Sequence, residues 1–171
     1  MAHVASTILL RCILKTEEWK ADHASVEGIK KALTQGFFFA DDEIRRLVAM
    51  AKEGSNELQS RSGSTVISAL VTPTHIFVAN CGDSRSVLVR SNTAVKMSDD
   101  HKPYNEGEKD RIEKAGGLVC SRRVNGDLAV SRSLGDFAYK TNTERTAAQQ
   151  QISAEPEITV EERTEGDQVG P

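Results

Sequence analysis

The sequence is poor in the features that mark several protein classes. Among its 171 residues there are three cysteines, four prolines and only 5% aromatic residues. The cysteines (Cys12, Cys81 and Cys120) lie far apart without a Cys-x-x-Cys pair, which argues against a disulfide scaffold or structural zinc site and favours a reducing compartment. No apolar run approaches the roughly 18 residues that cross a bilayer, so no membrane association is expected.

Positive charge is also scarce. The 22 basic and 25 acidic residues give a formal net charge of −3. Proteins that bind nucleic acid usually carry a basic face, so nucleic acid is not an expected partner. The hydrophobic share of 38% and the charged share of 27% are typical of a folded protein, and the length allows one domain.

The first fifteen residues contain no acidic side chain, and Arg11 and Lys15 are their only formal charges. A basic, acid-poor, amphipathic segment is typical of a mitochondrial presequence, which remains the alternative. A core-facing helix is favoured because apolar residues recur at spacings of three and four. These residues are Val4, Ile8, Leu9, Cys12 and Ile13. A cytoplasmic or nuclear location is therefore expected.

A second helical pattern covers residues 26–48, so the sequence predicts a helical pair over residues 1–53. Gly28 and Gly36 each cost about 1 kcal/mol relative to alanine inside a helix, which allows a kink or break near Gly36. Residues 54–64 are rich in glycine and serine and predict a loop.

The pattern then changes to short apolar segments rich in β-branched residues, at 65–71, 75–79 and 86–90. The links between them are too short for parallel crossovers, so an antiparallel meander is predicted. A turn at 91–93 leads to a further strand at 94–97.

The remaining chain combines one helix, one hairpin and a final strand. Residues 108–115 predict a helix that ends at Gly116 in a left-handed cap. The pair Asn125-Gly126 predicts a hairpin between residues 118–124 and 128–130. Residues 140–154 are polar and predict a mobile loop, and 157–161 predict the last strand. Helices followed by antiparallel strands indicate an α+β layered domain.

Asp83 is the first candidate for chemistry. It lies in residues 80–85 (NCGDSR), at a tight link between two predicted strands. A carboxylate at a strand end can bind Mg²⁺ or Mn²⁺, because hard cations prefer oxygen ligands. The alternative is a turn cap or an ion pair with Arg85.

Arg132 is the second candidate and lies in residues 131–136 (SRSLGD). A guanidinium at this place can bind a phosphate or a carboxylate through two parallel hydrogen bonds. The alternative is a structural ion pair with Asp136. Residues 99–103 (DDHKP) predict a turn rather than a metal cluster, because adjacent residues rarely converge on one ion.

Six short segments follow one another in a fixed order. They are 62–65 (SGST), 79–85 (ANCGDSR), 100–103 (DHKP), 111–117 (RIEKAGG), 123–126 (RVNG) and 128–136 (LAVSRSLGD). In this order they resemble the metal-dependent protein serine/threonine phosphatases, the PPM or protein phosphatase 2C-like family. The resemblance covers residues 62–139 and returns at 155–157 (EPE) and 162–167 (ERTEGD).

The resemblance implies a fold and a chemistry. The fold is an αββα sandwich of two antiparallel sheets, each covered by helices on its outer side. The family hydrolyses phosphoserine and phosphothreonine in phosphoprotein substrates with a binuclear Mg²⁺ or Mn²⁺ centre. By resemblance, Asp83 matches an aspartate that helps to hold an additional metal ion. Residues 117–135 match a flap beside the cleft, with Arg132 on its active-site side.

The resemblance also shows departures from the family pattern. The early arginine, the Glu-Asp pair, the Asp-Gly-His-Gly-Gly motif and two later aspartate motifs of the family are not found. We therefore expect a single partial domain, incomplete at both ends and divided into residues 1–53, 62–139, 140–154 and 155–171. No complete catalytic set is expected, and no phosphate-binding residue is assigned.

Two functions remain at this point. The first is a family phosphatase whose chain shows little or no activity alone. The alternative is a non-catalytic binding module that competes with an active relative for substrates or regulators. Strands within 65–90 are expected to be the most protected from hydrogen exchange, and residues 140–154 and 163–171 the least, because these two segments have few apolar anchors.

Overall fold

The structure, a computed structural model, describes residues 1–50 and 61–168. Most of the predicted loop at 54–64 lies outside the described residues. These described ranges contain four α-helices: α1 (Ala2–Lys15), α2 (Glu17–Ala21), α3 (Val26–Met50) and α4 (Glu106–Lys114). The ten strands within the same ranges are β1 (Gly63–Ser64), β2 (Val66–Val71), β3 (His75–Cys81), β4 (Val87–Arg90), β5 (Thr93–Lys96), β6 (Val119–Cys120), β7 (Arg123–Val124), β8 (Leu134–Gly135), β9 (Glu157–Glu162) and β10 (Asp167–Gln168).

The helices α1 and α3 form where the apolar periodicity predicts them, and they pack against each other. The short helix α2 between them was not predicted, and residues 51–53 of the predicted pair lie outside the described residues. The buried side of α1 includes Ile8, Leu9 and Cys12. The break allowed at Gly36 is absent, because α3 runs unbroken through it. A Cβ atom at Gly36 would lie 2.4 Å from the Ile13 side chain, so this glycine permits close helix packing. Across the described ranges, no helix has the length and hydropathy of a membrane span.

The predicted meander is wrong at its third strand. β2 and β3 pair with each other, but β4 pairs with β5 and β10 in a separate three-stranded sheet. The chain leaves the first sheet after β3, where Gly82 has a φ of +121°. The other edge of β3 is taken by β9, the predicted last strand, through antiparallel pairing such as Phe77 with Val160.

Three layers result: helices, the sheet β2-β3-β9, and the sheet β10-β4-β5. Alternate residues of β3 point to opposite sides, so Phe77 packs against α1 and α3 while Ile76 and Val78 pack towards Leu88 of β4. The α+β sandwich of antiparallel sheets is confirmed. Val89, on the outer side of the second sheet, remains 37% exposed.

The helix α4 packs elsewhere, in a third cluster with Val124 and Ile152. Its predicted left-handed end is confirmed. Gly116 has a φ of +86°, and its N–H and that of Gly117 donate to the carbonyls of Glu113 and Ile112 at 3.0 and 2.9 Å. This is the hydrogen-bond pattern of a Schellman motif.

The hairpin lies one turn earlier than predicted. Ser121 and Arg122, both with positive φ, join β6 to β7, and residues 128–130 form no strand. Asn125-Gly126 also makes a tight turn, in which Val124 pairs with Leu128 as an isolated bridge and accepts from the Asp127 N–H at 3.0 Å. Asn125 instead binds outside its turn, because its side chain accepts from the Leu118 N–H at 2.9 Å and donates to Gln151 at 2.9 Å.

Two expectations about weakly anchored segments need correction. Residues 140–154 contain a 3-10 turn (Ala147–Gln149) and fully bury Ile152, so their C-terminal end has an apolar anchor. The second segment, 163–171, includes β10 within its described part, and Asp167 accepts a 2.7 Å hydrogen bond from Arg90. Residues 169–171 lie outside the described residues.

Candidate functional site

Two neighbouring loops build the candidate site. The Asp83 loop (residues 82–86) follows β3, and the His101 loop (residues 98–103) follows β5. The side-chain amide of Asn80, at the end of β3, donates to the backbone carbonyls of Gly82 and Asp99 at 3.0 and 2.7 Å. Arg85 donates two hydrogen bonds of 3.0 Å to the carboxylate of Asp100. The loops are therefore held together by both backbone and side-chain contacts.

Asp83 presents a partly exposed carboxylate that forms an ion pair with Lys102. The alternative pairing with Arg85 is wrong, because Arg85 binds Asp100 instead. The ammonium of Lys102 also lies 3.9 Å from the Asp100 carboxylate. A cation therefore already lies beside Asp83, in the form of a lysine side chain.

The Asp83 carboxylate can supply one oxygen ligand to a hard cation once Lys102 has moved away. Water would fill the other coordination positions. It does not build a two-ion centre by itself. Within residues 1–50 and 61–168, no group of three or more histidine, cysteine, aspartate or glutamate side chains is placed to hold a metal.

His101 is 3% exposed and connects three segments of the chain. Its ring Nδ1 lies 3.1 Å from the Gly82 amide nitrogen, and its Nε2 lies 3.0 Å from a carboxylate oxygen of Glu157. Its backbone carbonyl accepts from the Ser131 N–H at 3.2 Å. Burial, with a smaller effect of the Arg132 charge, lowers the pKa of His101, which favours the neutral ring.

Arg132 lies in a buried ion-pair network rather than beside Asp136. Its guanidinium donates to one Glu108 carboxylate oxygen at 2.6 and 3.0 Å and to the Glu155 carbonyl at 3.0 Å. The alternative pairing with Asp136 is wrong, because the Asp136 carboxylate accepts from the Ser133 hydroxyl at 2.6 Å. Arg132 thus links its own segment, residues 131–136, to Glu108 of α4.

The network has a second arginine. Arg111 donates to the other Glu108 oxygen at 2.8 Å and to the Ser131 carbonyl at 2.6 Å. Burial alone would raise the pKa of Glu108, but hydrogen bonds and charge from Arg132 and Arg111 outweigh it and lower the pKa to about 2. Glu108 is therefore ionised at neutral pH and balances both arginines.

The backbone next to Asp83 lies close to the backbone of Arg132, the other predicted site residue. A Cβ atom on Gly82 would lie 3.1 Å from the Arg132 carbonyl oxygen and 2.4 Å from the Thr65 side chain. Glycine is required here both by this crowding and by its positive φ. The structure therefore places Gly82, the first residue of the Asp83 loop, directly against the Arg132 backbone.

Sequence reasoning missed a second buried ion pair, which lies beside Ser133 and Gly135. The ammonium of Lys140 donates to both Asp41 carboxylate oxygens and to the Ser133 carbonyl, all at 2.9 Å. Asp41 also accepts from the Gly135 N–H at 2.7 Å. A sequence signal existed, because Asp41 falls on the apolar side of α3 between Phe37 and Ile44.

A cavity of about 580 Å³ lies between α1 and the outer edge of β2. Apolar side chains such as Leu9, Trp19 and Leu70 line most of it, and Thr65 and Ser84 stand at one end. An apolar lining offers few partners for a phosphate, so this cavity does not replace the Asp83 loop as the candidate site.

Comparison with known proteins agrees with the motif order. A family profile described as "Protein phosphatase 2C" matches residues 2–169. The chain is 40% identical over 175 residues to protein phosphatase 1B of Rattus norvegicus, covering 98% of this chain and 44% of that protein. It is 42% identical over 161 residues to protein phosphatase 1A of Homo sapiens, covering 93% of this chain and 41% of that protein. The chain thus spans about two fifths of the length of these relatives.

Solved structures agree on the fold. A serine-threonine phosphatase 2C from Toxoplasma gondii superposes with a TM-score of 0.73 at 18% identity, covering 95% of this chain and 60% of that one. A sex-determining protein of C. elegans superposes with a TM-score of 0.73 at 25% identity, covering 96% of this chain and 37% of that one. The sequence, the layered sheets and these matches together show that the chain belongs to the protein phosphatase 2C family.

Proposed function

We propose that this chain serves the metal-dependent hydrolysis of phosphoserine and phosphothreonine in phosphoproteins. The observation that carries the proposal is the Asp83 loop, which presents a partly exposed carboxylate against the flap base in a chain whose residues 2–169 match the family. The cation would be Mg²⁺ or Mn²⁺, because a carboxylate on a loop suits a hard ion.

Each residue has a role in this proposal. The bound metal ion supplies an activated water and neutralises charge on the phosphoryl group. Asp83 would hold one cation, which requires the Lys102 ammonium to leave the Asp83 carboxylate. Arg132, fixed by Glu108, sets the position of the flap on the substrate side. Phosphate-binding residues remain unassigned, and a cytoplasmic or nuclear location remains a prediction.

The 171-residue chain alone is expected to show no metal-dependent turnover above background. Several carboxylates must converge to hold two ions, and Asp83 supplies one. Purified chain is incubated with Mn²⁺ and a phosphothreonine peptide, with and without a chelator. Turnover that the chelator abolishes would contradict this expectation.

A chimera tests the function itself. Residues 2–169 replace the aligned segment of rat protein phosphatase 1B, and hydrolysis of the same peptide is measured against Mn²⁺ concentration. We expect a folded, active chimera in which Asp83→Asn weakens the dependence on Mn²⁺. Asp110→Asn on the exposed side of α4 is the matched control, because Asp110 pairs only with Lys114 on that helix among the contacts described.

A folded but inactive chimera would overturn the phosphatase proposal and favour the alternative of a non-catalytic binding module. An active chimera in which Asp83→Asn and Asp110→Asn behave alike would keep the phosphatase function and remove Asp83 from the metal site. Calorimetry of the chain with Mn²⁺ gives a further check, since tight binding that survives Asp83→Ala would also refute this placement.

A further inference from the structure

His101 makes a set of contacts that a space-filling core residue would not need. Its ring uses both nitrogens, towards the Gly82 amide and the Glu157 carboxylate. Its backbone uses both polar groups as well, because its N–H donates to the Gly82 carbonyl at 3.0 Å and its carbonyl accepts from Ser131. One buried residue therefore binds the Asp83 loop, the flap base and the start of β9.

The hydrogen bond to Gly82 determines which ring nitrogen carries the proton. The Gly82 N–H is a donor, so Nδ1 of the ring must accept and remain unprotonated. Nε2 then carries the proton and donates to Glu157. The neutral ring with its proton on Nε2 can accept from the Gly82 N–H and donate to the Glu157 carboxylate at the same time. The negative charge of Glu157 favours this tautomer.

Gly82 transmits this contact to Asp83. Gly82 lies between the Thr65 side chain and the Arg132 carbonyl, with no room for a Cβ atom and with a positive φ. Its N–H binds the His101 ring, and its carbonyl accepts from the His101 N–H and from the Asn80 side chain. The orientation of Gly82, and with it of the peptide that enters Asp83, therefore depends in part on His101. A rotation at Gly82 would turn the Asp83 carboxylate away from its present position.

We infer that His101 is a positioning residue, which holds the Asp83 carboxylate at a fixed place relative to the base of the flap. The inference rests on the proposed function, because it treats Asp83 as a metal ligand. His101 itself does not bind the metal. It acts through the Gly82 peptide on one side and through the Ser131 peptide, next to Arg132, on the other.

Two substitutions distinguish the acceptor role of Nδ1 from the donor role of Nε2. His101→Asn keeps an acceptor near the place of Nδ1 and loses the reach to Glu157. His101→Gln keeps a donor near the place of Nε2 and loses the acceptor for Gly82. Both remove an aromatic ring from the same buried site, so each serves as the structural control for the other.

The experiment uses the full 171-residue chain, ¹⁵N-labelled, with Mn²⁺ as the probe. Bound Mn²⁺ broadens amide signals near its site, which detects weak binding without any activity. We expect His101→Gln to speed exchange of the Gly82 amide about tenfold, the effect of one lost hydrogen bond, and to weaken the broadening at residues 82–86 by a similar factor. In His101→Asn, the Gly82 exchange rate and the broadening at residues 82–86 should both stay closer to their wild-type values.

Asp83→Asn separates this inference from the proposed function. If Asp83→Asn abolishes the broadening while both His101 variants leave it unchanged, the metal placement holds and the positioning role is refuted. If the two His101 variants change exchange and broadening equally, His101 is only a packing residue and the inference is refuted. If Asp83→Asn leaves the broadening unchanged, the metal placement of the proposed function is refuted, and the exchange rates alone decide whether His101 holds the loop.

Discussion

Two regions of the molecule are held together in different ways. The helix-covered sheet (α1, α3 and β2-β3-β9) is joined by apolar side chains such as Phe37 and Phe77, both at most 1% exposed. The loop cluster (residues 82–86, 98–103 and 131–136, with α4) is joined by buried polar contacts around His101 and Glu108. The first region gains stability from apolar area removed from water, an effect that depends little on the orientation of the side chains.

The stability of the loop cluster depends on the geometry of its hydrogen bonds and ion pairs. A buried hydrogen bond or ion pair contributes only when its partner is correctly placed, and a lost partner leaves a buried polar group unsatisfied. Large apolar deletions should therefore destabilise the helix-covered sheet most. Small polar changes should damage the loop cluster, where the candidate site lies.

The largest effect is expected for Phe77→Ala. Removing this side chain between the helices and the sheet should lower the free energy of unfolding by about 4 kcal/mol, the sum of lost burial and a remaining cavity. Urea unfolding measures it. Phe39→Ala is the control, because Phe39 is 45% exposed on α3 and should cost less than about 1 kcal/mol. Equal losses would contradict an apolar core at Phe77.

Lys140→Met tests the buried ion pair that links α3 to residues 133–135. It leaves the Asp41 carboxylate buried without its partner and should cost about 3 kcal/mol. The double variant Asp41→Leu/Lys140→Met removes both charges and should recover most of that loss. Additive losses in urea unfolding would show that the two side chains do not depend on each other.

Glu108→Gln should cost about 2 kcal/mol at neutral pH, because Arg132 and Arg111 lose a charged acceptor. The pKa of Glu108 is held near about 2, below its ordinary value of 4.5. The stabilisation is thus complete above the unfolded pKa and is lost as the pH falls towards the folded pKa.

The difference in unfolding free energy between wild type and Glu108→Gln should shrink as the pH falls from about 4.5 to about 2. Urea unfolding at a series of pH values measures this difference. Glu113→Gln, on the exposed part of the same helix, provides the control and should show no such trend. A difference that stays constant with pH would contradict the ion-pair role of Glu108.

The smallest effect is expected at the end of α4. Gly116→Ala places a side chain at a φ of +86° and should cost about 1 kcal/mol. Gly107→Ala, in the first turns of the same helix with open space around its Cβ position, should instead stabilise by up to about 1 kcal/mol. Thermal unfolding compares the two, and shifts of the same sign would contradict the assigned cap.

The same contrast explains how far the sequence could be interpreted. Periodicity predicted α1 and α3, because their apolar stripes are the faces that pack, and it predicted β2 and β3 for the same reason. It placed β4 in the wrong sheet, since the turn at Gly82 that sends the chain to a second sheet has no counterpart in hydrophobic pattern. The glycine cap of α4 was predicted because its cause is local.

The candidate site was predictable only in part. Motif order identified Asp83, Arg132 and the family. Their partners are Lys102 for Asp83 and Glu108 for Arg132, and His101 binds Glu157. These contacts join residues 19 to 56 positions apart, which no local pattern encodes. Asp41 and Lys140, 99 residues apart, were missed for the same reason.

Residue-by-residue hydrogen exchange of the 171-residue chain shows whether polar contacts keep the loop cluster as ordered as the core strands. We predict the slowest exchange in β3, slow exchange at the Gly82 and Ser131 amides that donate to His101, and fast exchange in the exposed residues 143–147. Exchange at Gly82 and Ser131 as fast as in residues 143–147, with β3 still protected, would contradict the account.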